Sequence, residues 1–222
     1  MTAVLVFSTI VLFLIVDYLR TRSQHAVAPR HIHVPVSALS NDFSVPEGLF
    51  VGAGHTWARL DADGSIRVGV DDFASRLLGR LDRLEVAAEG AALARDDAAV
   101  VLHQGSKSVA LASPIEGTVT AVNTDVLQHP EQLRAEPYER GWLLRIRPRH
   151  LASELRQLRI GDEARDWLRQ EVARFADFLG RQLPADAVGA TLQDGGLPAS
   201  GVLEQLDRSA WESFEEEFLA GR

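Results

Sequence analysis

The chain has 222 residues, a hydrophobic fraction of 46% and a net charge of −8. That acidity argues against a phosphate-binding surface, so nucleic acid is not an expected partner. It contains no cysteine, which excludes disulfides, thiolate metal sites, iron–sulfur ligation and cysteine nucleophiles.

Residues 3–19 are apolar on every helical face for nearly the whole run. At 1.5 Å per residue they make about 25 Å of helix, close to the hydrocarbon thickness of a bilayer. A cleaved signal peptide would carry basic residues before the run and small ones after it. Here nothing basic precedes it, and Asp17, Tyr18, Arg20 and Arg22 follow. Residues 1–22 are therefore expected to be an uncleaved transmembrane anchor, single-pass in the inner (cytoplasmic) membrane. The positive-inside rule then places the rest of the chain on the cytoplasmic face. Residues 23–44 carry His25, Pro29, His31, His33 and Pro35 without periodicity and read as a linker. His31 and His33 have no third ligand nearby, so no metal is expected there.

Between residues 45 and 150 the chain shows short β-type runs broken by Gly, Asp and Asn: 56–60, 65–70, 100–103, 108–112, 117–123 and 142–146. Runs this short and closely spaced predict a small barrel or sandwich. Asp61-Ala62-Asp63-Gly64 is a turn between two of them. Phe73, Ala74, Leu77, Leu78 and Leu81 follow a helical repeat that should stop near Gly79. Trp57, Phe73 and Trp142 read as core residues, and Trp142, Leu144 and Ile146 should alternate inward on a closing strand.

Several ordered pieces of this region carry a resemblance: Val45-Pro46-Glu47-Gly48-Leu49, His55-Thr56-Trp57-Ala58-Arg59, Ile66 to Ala74, Leu78-Gly79-Arg80-Leu81, Ser113-Pro114-Ile115-Glu116-Gly117-Thr118-Val119 and Pro137 to Ile146. In order and spacing they resemble the glycine-cleavage H-protein. The fold this implies is mainly β, an H-protein-like lipoyl-domain barrel or sandwich (a barrel-sandwich hybrid), followed by C-terminal α-helices. The resemblance also implies a lipoyl-bearing lysine at the tip of a hairpin, eight residues before the proline of the Pro-x-x-Gly turn. That position is Ser106, and Lys107, the only lysine in the chain, stands one residue later. A one-residue slip in strand register turns a side chain to the opposite face. Other positions depart too: no acidic residue stands at His103 or Gln104, the family's usual Glu is Thr56, and its usual Asp is Arg80. In the family these polar positions line the surface where the lipoyl arm rests.

After Pro148, Leu151, Leu155, Leu158, Ala164, Trp167, Leu168, Val172, Phe175, Phe178 and Leu179 recur at three- and four-residue spacing. Residues 151–181 are thus expected to form an amphipathic helical extension, with Asp162 and Glu163 in its first turn and Arg181 near its end, as the macrodipole favours. Residues 182–201 have the composition of a flexible linker. Residues 202–222 read as an acidic amphipathic helix, with Ser209 as N-cap and Glu212 completing a capping box. Trp211, Phe214 and Phe218 are the residues expected to dock into a partner's groove, folding back on the domain being the alternative.

Two readings of function follow. In the first, the chain is a non-catalytic accessory or scaffold subunit, held at the membrane by residues 3–19 and binding other protein subunits through its C-terminal helices, with no cofactor. In the second, it is a lipoylated carrier in which Lys107 bears lipoate and shuttles an aminomethyl or related group, as the resemblance implies. An independent enzyme is not expected, because no nucleophile–base set, phosphate loop or metal-ligand spacing is present.

Overall fold

The computed structural model of the protein describes residues 43–182 and 200–220. The expected membrane span, nearly all of the linker that follows it and most of the second linker lie outside the described residues. Among those described, no helix is long and apolar enough to cross a membrane.

Among the described residues, ten strands form two antiparallel sheets. The larger has the order β10-β1-β2-β3-β9-β8-β5 and the smaller β4-β6-β7. In chain order the strands are β1 (Leu49–Val51), β2 (Thr56–Leu60), β3 (Ile66–Val70), β4 (Arg83–Val86), β5 (Ala92–Leu93), β6 (Ala98–Gln104), β7 (Lys107–Ala112), β8 (Gly117–Val122), β9 (Trp142–Pro148) and β10 (Arg159–Ile160). All six expected runs are strands. The mainly β sandwich with helices at its C-terminal end is the architecture read from the residues.

Alternation explains the inner faces. In β7, Val109 and Leu111 are buried while Ser108 and Ala110 are exposed, the period of two that a half-buried strand requires. Trp57 is fully buried, and its indole N–H donates to the carbonyls of Val70 at 3.0 Å and Pro137 at 3.1 Å. A glycine is needed opposite it, because a Cβ on Gly69 would lie 2.6 Å from the Trp57 ring. Leu144 and Ile146 point inward as expected, whereas Trp142 is only half-buried. Two neighbouring residues, Leu143 and Leu144, are both buried because β9 is covered on both faces at that level.

The first described helix, α1 (Asp72–Leu78), starts where the Asp71 carboxylate accepts from the Ala74 N–H, and ends at Gly79, whose φ is +75°. Both devices are the ordinary ways to satisfy helix-end groups. Two short helices, α2 (Thr124–Gln128) and α3 (Gln132–Ala135), span the connection to β9.

The amphipathic extension is not one helix. It divides into α4 (Leu151–Leu155), strand β10 and α5 (Asp162–Gln182). The break lies at Gly161, with φ +60°, just after Arg159 and Ile160 pair with Val51 and Phe50 of β1. The edge of β1 outcompetes helical propensity for those two residues. Within α5 the expected face is inward: Ala164, Leu168, Val172, Phe175, Phe178 and Leu179 are all buried.

The described part of the last expected helix, residues 202–220, also departs from expectation. The segment begins with a 3-10 turn at Val202–Gln205, continues as α6 (Arg208–Phe214) and closes in a π-turn at Glu215–Leu219. Its N-cap is Asp207, which accepts from the Ala210 N–H, not Ser209. Trp211, Phe214 and Phe218, expected to dock into a partner, are 2%, 1% and 2% exposed. They pack on this chain's own core. Phe214 and Phe218 stack at 5.1 Å and meet Phe175 of α5 edge-on, each at 5.7 Å. The physical reason is that α5 and α1 leave an apolar face beside the small sheet, and the segment's apolar face fills it.

Candidate carrier hairpin

The β6–β7 hairpin is closed by a two-residue loop, Gly105-Ser106, with Gln104 paired opposite Lys107. Gly105 has φ +57°, and glycine at the first loop position is what a tight hairpin of the II′ kind demands. Ser106 therefore stands at the exposed tip and Lys107 is the first residue of the returning strand.

Register decides where the lysine points. Lys107, Val109 and Leu111 share the inward-facing row of β7, and Lys107 is half-buried whereas Ser106 and Ser108 are exposed. Its ammonium does not reach away from the hairpin. It donates to the carbonyls of Leu206 at 2.8 Å and Leu203 at 3.1 Å, and lies 4.9 Å from the centre of the Trp211 ring. Burial pulls the pKa of the amine below the ordinary lysine value, against the opposing fields of Glu204 and Asp207.

The rest of the tip is pinned from the other side. Gln104, where a carboxylate was absent from the pattern, donates through its amide to the carbonyls of Leu78 at 2.5 Å and Arg80 at 2.8 Å. The Gly105 N–H donates to the Asp82 carboxylate. A cleft of about 400 Å³ opens beside the tip, lined by Gly79, Arg80, Leu81, Asp82, Glu131 and Arg134 among others. Arg80 thus does line a surface next to the hairpin. Thr56 does not join it: only 3% exposed, it borders a separate cleft of about 250 Å³ with Arg95, Asp96, Ser113 and Pro114.

A buried charged set was not foreseen. His55 is fully buried with φ +57°; its Nδ1 is 2.8 Å from Asp71 and its Nε2 3.7 Å from Glu171 of α5. The ring stacks on Phe73 at 4.6 Å. Burial works against a charged imidazole, but the Asp71 carboxylate, its hydrogen bond and Glu171 outweigh it and hold the pKa at about 9. Glu171 in turn is held below its ordinary value despite burial, by His55 and Arg174. A solvent-free imidazolium, hydrogen-bonded to Asp71 and facing Glu171 across 3.7 Å, is a structural tie between the β1–β2 turn and α5, with no opening through which to meet a substrate.

An antiparallel sandwich presenting a two-residue hairpin tip just ahead of a Pro-x-x-Gly turn defines a protein of the lipoyl-carrier class. The sequence profile of the glycine cleavage H-protein matches residues 50–171, and the chain belongs to that family. The glycine cleavage system H protein of Chromobacterium violaceum is 37% identical over 109 residues, covering 49% of this chain and 85% of that one. The probable glycine cleavage system H protein of Pyrococcus horikoshii is 28% identical over 128 residues, 58% of this chain and 95% of that one. Among solved structures, a glycine cleavage system H protein from Mycobacterium marinum shares the fold with a TM-score of 0.50 and 22% identity, over 56% of this chain and 98% of that one.

The residue at the tip itself does not fit the family's lipoyl group. The hydroxyl of Ser106 cannot supply the amide nitrogen, and the one amine nearby is turned inward and bonded to main-chain carbonyls.

Proposed function

We propose that this chain is a non-catalytic scaffold subunit: an H-protein fold, held on the cytoplasmic face of the membrane by residues 3–19, whose carrier hairpin has been turned to structural use. The observation that carries the reading is the register of the hairpin, with Ser106 at the tip and Lys107 on the inward row. A carrier works by swinging a tethered arm between active sites, and an amine that holds its own chain's carbonyls has no such freedom. The fully enclosed His55 set supports the absence of a catalytic role.

The second reading, a carrier lipoylated on Lys107, is favoured by one observation: the only lysine in 222 residues stands beside the tip. Intact mass of the full chain, purified from cells that lipoylate other proteins, separates the two. The scaffold reading expects the unmodified mass. A lipoyl increment on Lys107 would overturn it in favour of the carrier.

A further inference from the structure

The segment 200–220 follows the carrier hairpin closely. β7 is the last strand of the small sheet, so one row of its backbone groups faces away from β6. The C-terminal segment meets that edge at Ser108 and Ala110 and the loop before it at Ser106. Arg208 donates to the Ser106 carbonyl at 3.1 Å, the Trp211 indole donates to the Ser108 carbonyl at 3.4 Å, and the Ala110 N–H donates to Glu215 at 3.4 Å. Lys107 closes the inner side through Leu203 and Leu206.

A second line of contacts fixes the start of the segment on the end of α1. The Gly201 N–H donates to the Arg76 carbonyl at 2.8 Å, and the Arg80 N–H donates to Glu204 at 2.6 Å. This approach needs a glycine at position 79, since a Cβ there would stand 2.6 Å from the Gly201 Cα. Two of the positions where the sequence leaves the carrier pattern, Arg80 and Ser106, meet the C-terminal segment through their backbone groups, and Lys107 beside the tip meets it through its side chain.

We infer that residues 200–220 are a built-in cap on the carrier hairpin: they occupy, in cis, the face through which a modifying enzyme or a docking partner would approach the tip, and they withhold the Lys107 amine. The cap is a folded part of the domain. Leu203, Trp211, Phe214 and Phe218 are buried, so apolar burial holds the segment in place. A protein that engages this hairpin must displace the segment first.

The cap goes beyond the scaffold reading, which concerns whether Lys107 is modified and not whether it is reachable. The single lysine gives a clean test. The full chain in detergent is exposed briefly to an N-hydroxysuccinimide acetate ester at pH 8, and acetylation of Lys107 is followed by peptide mass. The cap predicts a rate at least about tenfold slower than in the same chain unfolded in guanidinium, because reaction must wait for local opening. Trp211→Ala should restore most of the rate. Where that variant fails to fold, as judged by near-ultraviolet circular dichroism, Arg208→Ala combined with Glu204→Ala removes two polar contacts and leaves the aromatic core in place. Fast acetylation of the unmodified wild-type chain would overturn the cap and leave the scaffold reading standing, as would a folded variant no faster than wild type. A lipoyl increment in the starting mass would overturn both.

Discussion

Helix α5 and the segment 200–220 are both helical additions to the β-sandwich, yet they are fastened by different chemistry. Helix α5 brings Glu171 to a buried imidazolium that Asp71 holds from the other side. The C-terminal segment brings aromatic rings, and its polar contacts include Lys107 on main-chain carbonyls, Trp211 on the edge of β7 and an exposed ion pair of Glu217 with Arg181 of α5. A buried ion set ties stability to pH, because its charge state is part of the fold. Ring packing does not. Two attachments of similar depth should therefore respond differently to the same disturbance.

The largest separation should come from the rings. Phe214→Ala empties a site enclosed by Phe175, Phe178 and Phe218, and the expected loss in urea unfolding is about 3–5 kcal/mol. The size of that loss should be nearly the same at pH 6 and pH 8.

The pH response belongs to α5. The folded pKa of His55, about 9, lies above the ordinary histidine value of about 6.5, so the charged form is favoured by folding. Its contribution is fully present below about pH 6.5 and is lost as pH rises through about 9, to a total of about 3 kcal/mol at 1.36 kcal/mol per unit. Urea midpoints measured between pH 6 and pH 10 should fall over that window, and His55→Gln should flatten the fall. A wild-type profile already flat from pH 6.5 to 9.5 would show that the ion set is not what fastens α5.

The smallest effect should come from the lysine. Lys107→Met keeps the stem and removes the donor, leaving the Leu203 and Leu206 carbonyls without it, at a cost of about 1–3 kcal/mol. Hydrogen exchange should speed up within 200–220 while the amides of α5 keep their protection.

Much of the sandwich was legible because alternation and turn chemistry are local. The strands β2, β3, β6, β7, β8 and β9 all showed in the residues, and so did α1 with its stop at Gly79. The strands that escaped are short: β1 and β4 have three and four residues, and two others have no room for a period. Ala92–Leu93 and Arg159–Ile160 are two-residue strands, and the second was hidden because Leu155 and Leu158 fit a helical repeat that runs up to it. Gly161 was the available signal. The register of Lys107 was readable from Val109 and Leu111, but its bonds to Leu203 and Leu206 span almost half the chain and no local pattern encodes them.

The aromatic stripe of the tail shows the limit most clearly. Periodicity states that Trp211, Phe214 and Phe218 share an apolar face, and says nothing of what covers it. The covering surface is assembled from α1 and α5, far apart in the chain. Likewise His55 carries no mark of its partners, since Asp71 and Glu171 approach it from two different elements.

The free edge of β7 has a bearing on the soundness of the whole chain. An uncovered edge strand is a template on which another strand can add, and proteins blunt such edges with helices, charges or bulges. Here the indole of Trp211 and the carboxylate of Glu215 take the backbone groups of Ser108 and Ala110 that would otherwise be offered outward. The tail is thus a guard against strand-to-strand polymerisation as well as the partner of Lys107, and a chain that lost it would offer the edge of β7 to its own neighbours.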